Sequence, residues 1–184
     1  MTAQADVLWH YTTGVNVLKI LGSEEIVPSR GWLPPGVRPA VWFTRSPEWD
    51  ATADKTRKRG LCEILFTTRG TEAVGRGLFR IGARPETAPA TWTDYRRDSH
   101  APAALLRGLA DTARKQGVSP SDWRISWDPV PRHAWLGVEV WREDAWIPAP
   151  ESASALVLPP EVRVPSTDEM RSLGWVKDVR DRVG

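Results

Sequence analysis

Three residues carry side chains suited to chemistry in settings that need an explanation: His10 and Thr12 near the start of the chain, and Glu139 far along it. In the run "LWHYTTG", residues 8 to 14, strand alternation places Leu8, His10 and Thr12 on one face and Trp9 and Tyr11 on the other. An imidazole and a hydroxyl can then address one ligand together. The ordinary alternative is a half-buried histidine bonded to a backbone carbonyl. Glu139 lies in "WLGVEVW", an apolar strand whose alternation gives it the face of Trp135, Gly137 and Trp141. A carboxylate there is costly unless it is paired or works on a ligand, and Gly137 leaves the face open one step away. An exposed sheet face, or an ion pair with one of the many arginines, accounts for it equally well. Glu143 and Asp144 in the next turn read as solvated.

Other catalytic arrangements are absent from the sequence. "GTEAVGRG" lacks the lysine and the strand-to-helix setting of a phosphate loop. His10, His100 and His133 show no close metal-ligand spacing and no thiolates support them, so no metal is expected. No serine elbow is present. Cys62, the only cysteine, cannot form an internal disulfide and reads as a buried inert thiol in a core strand. Arg57, Lys58 and Arg59 read as a solvated helix end.

The elements that must position these residues belong to one domain with decorated loops, as 184 residues allow. The apolar fraction of 41% with 26% charged residues is that of a globular chain. A net charge of +2 permits a nucleic-acid partner without arguing for one. Eleven tryptophans against two tyrosines and three phenylalanines imply aromatic packing, or a cleft for a planar ligand. The N-terminus has no basic stretch leading into an apolar one, and no window reaches the roughly 20 apolar residues of a membrane span. A cytoplasmic protein without membrane partners is expected, delivery to another cell remaining open.

A strand over 7–12 leads to a short helix over 15–21 ending at Gly22. A loop spans 30–39, and "AVWFT" is the next strand. Residues 46–59 predict a helix with Ser46 as N-cap and Pro47 in its first turn. Strands over 61–67 and 78–81 flank a glycine-spaced turn holding Arg69 and Arg76. The one long helical pattern covers 102–116, stopped by Gly117. Strands then follow over 123–127, 135–141 and 145–147. Residues 1–148 make up the main domain, and 149–184 a Pro/Ser/Ala-rich extension with a short helix capped by Thr167 and packed on the same domain. The order predicts an α+β domain on a mainly antiparallel sheet.

"LWHYTTGVNVLKILGSEEIVPS", "AVWFTRSPEWDATA" and "LGVEVW", in that order, resemble the ADP-ribosyltransferase superfamily. His10 and Thr12 match its first-strand His-x-Thr, Val41–Thr44 with Ser46 its second strand, and Glu139 its late catalytic glutamate, over roughly residues 7 to 141. The resemblance implies a split, strongly bent sheet with NAD in its cleft as co-substrate. It implies that His10 and Thr12 contact the adenine-side ribose and the nicotinamide amide, that an aromatic residue stacks on nicotinamide, and that Glu139 holds the nicotinamide ribose. Breaking the nicotinamide–ribose bond develops positive charge on the sugar, as in glycoside cleavage, and a fixed carboxylate in a water-poor site stabilises it.

The departures from the pattern matter. Gly137 stands two before Glu139, where arginine-modifying members carry glutamate or glutamine, which argues against an arginine acceptor. Trp42 and Phe43 stand where many relatives have tyrosine, so the stacking residue is open between these two and Tyr11. Arg45, Arg69 and Arg80 compete for the phosphates, with Arg45 preferred. The resemblance implies transfer of ADP-ribose to a nucleic-acid or protein acceptor, as in toxin-like transferases. An NAD glycohydrolase, or a non-catalytic module binding a nucleotide, nucleic acid or protein, are the rival functions.

Overall fold

The computed structural model describes residues 6–30, 33–59, 62–149 and 163–181. The side chains at 57–59, 62–63 and 178–181 lie outside that description, and with them the readings of Cys62 and of the Arg57–Arg59 cluster. The strands are β1 (Leu8–Thr13), β2 (Glu25–Ile26), β3 (Val41–Thr44), β4 (Thr56–Arg59), β5 (Cys62–Phe66), β6 (Leu78–Ala83), β7 (Ala90–Thr91), β8 (Trp123–Ser126), β9 (Val130–Pro131), β10 (Trp135–Arg142), β11 (Ala145–Pro148) and β12 (Val176–Asp181). The helices are α1 (Gly14–Ser23), α2 (Thr68–Gly75), α3 (Trp92–Asp98), α4 (Ala103–Lys115) and α5 (Thr167–Ser172). The chain is an α+β protein built on a mainly antiparallel sheet, as the order of its elements predicts.

The main sheet has seven strands in the order β11-β10-β6-β1-β3-β8-β7. Third in that order is β6, paired along its whole length with β1 on one side and over most of it with β10 on the other. By contrast β1 and β3 share one register pair, Trp9 opposite Thr44. A smaller sheet, β12-β5-β4, takes in the C-terminal strand.

The two faces of the main sheet bury different sets of side chains. One carries Leu8, Phe43, Ile81 and Ala83, packed with Ile26 and Val130, and beside them Phe79 and Val140 under Val17 of α1. The other, at the β8 end, carries Ile125 with Ala40 and Tyr95, flanked by Trp42, Trp92, Leu106 and Leu109 from β3, α3 and α4. Each fully buried Phe or Ile contributes about 1.5–3 kcal/mol relative to exposure. No helix among the described residues is long and apolar enough to cross a membrane.

Three local expectations change. Residues 46–59 form no α-helix: a 3-10 turn at Ala51–Ala53 is followed by β4, which pairs with β5. The physical reason lies in the carbonyls of 46–48, which accept hydrogen bonds from Tyr11 and Arg80 side chains rather than from N–H groups one turn on. The glycine-spaced turn after β5 is instead α2, capped by the Thr67 hydroxyl. A Cβ at Gly75 would lie 2.5 Å from Thr13 Cγ2, so its glycine serves close packing. Finally, Ser166 rather than Thr167 caps α5, in a capping box with Glu169.

Candidate functional site

Cross-strand register decides which side chains meet. Glu139 on β10 lies opposite Arg80 on β6, and Arg80 lies opposite Tyr11 on β1. Directly paired residues point to the same side of a sheet, so the three form a row across the three strands. Glu139 Oε2 accepts from Arg80 Nε at 2.6 Å and lies 2.5 Å from Nη2. Arg80 Nη1 donates to the Pro47 carbonyl. The guanidinium carbon sits 3.8 Å from the Trp9 ring centroid and 4.7 Å from that of Trp146, in cation–π geometry.

The Tyr11 hydroxyl donates to the carbonyls of Ser46 (2.9 Å) and Glu48, which straps the 46–48 segment over this face. Burial raises the pKa of that hydroxyl above its usual value, against the pull of Arg80, and keeps it protonated. Tyr11, Trp49 and Trp146 stand with ring centroids 5.1–6.5 Å apart. Trp146 Nε1 is buried without a hydrogen-bond partner among the described residues. A buried donor of this kind is costly unless something accepts from it.

His10 and Thr12 lie on the opposite face from Glu139. His10 pairs with Ile81 and Thr12 with Phe79, the residues on either side of Arg80 along β6. The half-buried imidazole donates from Nδ1 to the Trp42 carbonyl at 2.9 Å and packs 5.7 Å from the Phe43 ring. A carbonyl only accepts, so Nδ1 carries the proton and Nε2 keeps its lone pair. Burial pushes the imidazole down to about 4, the Trp42 bond opposing this and the Lys55 charge adding to it. His10 thus spans the gap where β1 and β3 part beyond their single register pair, occupying a β3 carbonyl. Thr12 is buried, at 3% exposure.

The remaining site candidates scatter. Phe43 is buried beneath His10. Trp42 packs against Tyr95, Trp92 and Trp123 in the aromatic cluster under α3. Arg45 is exposed, its backbone N–H bonded to the Asp122 carbonyl. Arg69 is paired with Asp144 and Glu72 on the surface. The structure therefore brings Tyr11 to Glu139, adds Arg80 as their direct neighbour, and leaves His10, Thr12, Trp42, Phe43 and Arg45 elsewhere.

Sequence reading did not single out Trp9, Trp49 or Trp146, and it ranked Arg80 below Arg45. One signal for Arg80 was available: an arginine inside the apolar strand "LFRIGA" is the same anomaly as Glu139, with the complementary charge. Chemically the row offers a carboxylate, a guanidinium, flat aromatic faces and one unmet indole N–H, held among buried and half-buried side chains. No family model, no curated protein and no solved structure matches this chain.

Proposed function

We propose that the chain is an NAD-dependent ADP-ribosyltransferase with Glu139 as its catalytic residue, acting on a nucleic-acid or protein acceptor. The observation that carries this reading is the Glu139–Arg80–Tyr11 row enclosed by tryptophans. NAD presents anionic phosphates, a planar cationic ring and ribose hydroxyls. An Arg–Glu pair between aromatic rings suits such a ligand, because each partner can exchange the other for a ligand group of the right character. Arg80 holds a phosphate, Tyr11 and Trp146 face the nicotinamide ring, the free Trp146 Nε1 donates to its amide carbonyl, and Glu139 holds the ribose hydroxyl.

In the reaction the bond between ribose C1′ and the nicotinamide nitrogen breaks, and its electron pair neutralises the ring nitrogen. The acceptor atom bonds to C1′ with its own electron pair and gives up its proton to water. Glu139 stabilises the positive charge that develops on the sugar between these events. The parting of β1 and β3 at His10, together with the order of the sequence motifs, supports a split-sheet fold of the ADP-ribosyltransferase kind. In this account His10 holds the two strands at their parting.

A second reading is binding without catalysis. It is favoured by the two Arg80 nitrogens that hold one Glu139 oxygen. Incubation with NAD labelled in its adenylate half separates the outcomes: label in a macromolecule means transfer, and free labelled ADP-ribose with nicotinamide release means hydrolysis. Binding without nicotinamide release selects the second reading.

A further inference from the structure

Away from the Glu139 row, α3 and α4 enclose a groove of about 360 Å³ lined by Trp92, Arg96, Ala103, Leu106, Arg107 and Ala110. That size falls within the ~300–1,000 Å³ of small-ligand sites. Ala103, Leu106 and Ala110 recur at helical spacing along α4 and make a short, mostly small aliphatic floor opposite the indole. Trp92 is held from behind: its ring lies 14° from parallel to Tyr95, which is itself 9° from parallel to Trp127, and Trp123 meets it edge-on at 5.4 Å. The indole is therefore a rigid wall rather than a mobile surface side chain.

The charges around the groove are one-sided. Arg97 is paired with Asp94 and Asp98, and Arg114 with Asp111. Arg96 and Arg107, the two arginines that line the groove, are exposed and have no carboxylate partner among the described residues. A fixed indole in a groove that two unpaired guanidinium groups also line matches a planar base joined to phosphates. Stacking accepts any base, and the phosphates supply the charge.

We infer that this groove is a binding site for single-stranded nucleic acid, in which a base stacks on Trp92 and adjacent phosphates meet Arg96 and Arg107. The site is independent of NAD and of the Glu139 row.

The test is anisotropy titration of the full chain into fluorescein-labelled dT12 at several salt concentrations, repeated with R96Q/R107Q, Trp92→Phe and Ala110→Glu. Circular dichroism checks that each variant is folded, and Ala110→Glu alters a solvent-facing groove position, so it reports even if Trp92→Phe disturbs the aromatic cluster. The parent should saturate. R96Q/R107Q should bind at least about tenfold more weakly and lower the salt slope by about 1.4, two phosphates at ~0.7 each. Ala110→Glu should weaken binding to a similar extent, and Trp92→Phe severalfold. The proposal is overturned if dT12 does not bind, or if R96Q/R107Q leaves the salt slope unchanged. It is equally overturned if a polyglutamate peptide competes as well as unlabelled dT12 while Trp92→Phe binds dT12 like the parent, since the groove would then be a general anion surface.

Discussion

Glu139 and Arg80 face one another across β10 and β6, the carboxylate oxygen 2.6 Å from Arg80 Nε and 2.5 Å from Nη2. Arg80 is buried, at 10% side-chain exposure, and Glu139 is 26% exposed, so the pair is screened much less than a surface ion pair. Removing one partner strands the other. Arg80→Met should destabilise the chain by about 3 kcal/mol, and Arg80→Met combined with Glu139→Leu by distinctly less. Urea unfolding of the two single variants and the double variant measures this. A loss in the double variant equal to the sum of the two single losses would show that the two charges are not coupled.

Stability should also fall as His10 is forced to protonate. Its folded value of about 4 lies below the ~6.5 of an unfolded histidine. The unfolded chain therefore binds the proton first, and stability is complete above pH 6.5 and declines as pH falls toward 4. The full loss approaches about 3 kcal/mol. His10→Asn keeps a donor for the Trp42 carbonyl but cannot titrate, so its stability between pH 6.5 and 4 should be flatter than the parent's. Parallel curves for the two proteins would place the pH dependence elsewhere.

Two glycines should respond in opposite directions to alanine. At Gly70 a Cβ would collide with the Trp175 carbonyl oxygen, whereas at Gly108, inside α4, it meets nothing within 4 Å. Gly70→Ala should lose about 2 kcal/mol through overpacking, and Gly108→Ala should gain about 0.5–1 kcal/mol from helix propensity. Thermal unfolding of both distinguishes them.

Tyr11→Phe removes the hydroxyl that ties the Ser46 and Glu48 carbonyls to β1. It should cost about 1–2 kcal/mol and speed proteolytic cleavage within 45–50. Unchanged cleavage would mean that the strap is held by Arg80 alone.

Much of the sheet is legible in the sequence because β1, β3, β6, β8 and β10 are short alternating or apolar runs bounded by turns. The helix predicted over 46–59 fails because the side-chain donors that pull its first turn open, Tyr11 and Arg80, are more than 30 residues away in sequence. The site shows the same limit more sharply. Alternation within β1 separates His10 from Tyr11. Within β10 it holds from Gly137 onward, whereas a register shift after Trp135 sends that residue to the Ala83 face, away from Glu139. The parity between the strands depends on their register through β6. A slip of one residue would have placed His10 beside Arg80 and Glu139. That register is set by long-range pairing, which no local pattern carries.

Nicotinamide release from NAD by the full chain, set against Glu139→Gln, tests the central claim most directly. The proposed transferase predicts release by the parent and a fall of at least about 100-fold in Glu139→Gln, with NAD binding retained. Release by Glu139→Gln at the parent's rate, or a parent that neither binds NAD nor releases nicotinamide, would contradict it.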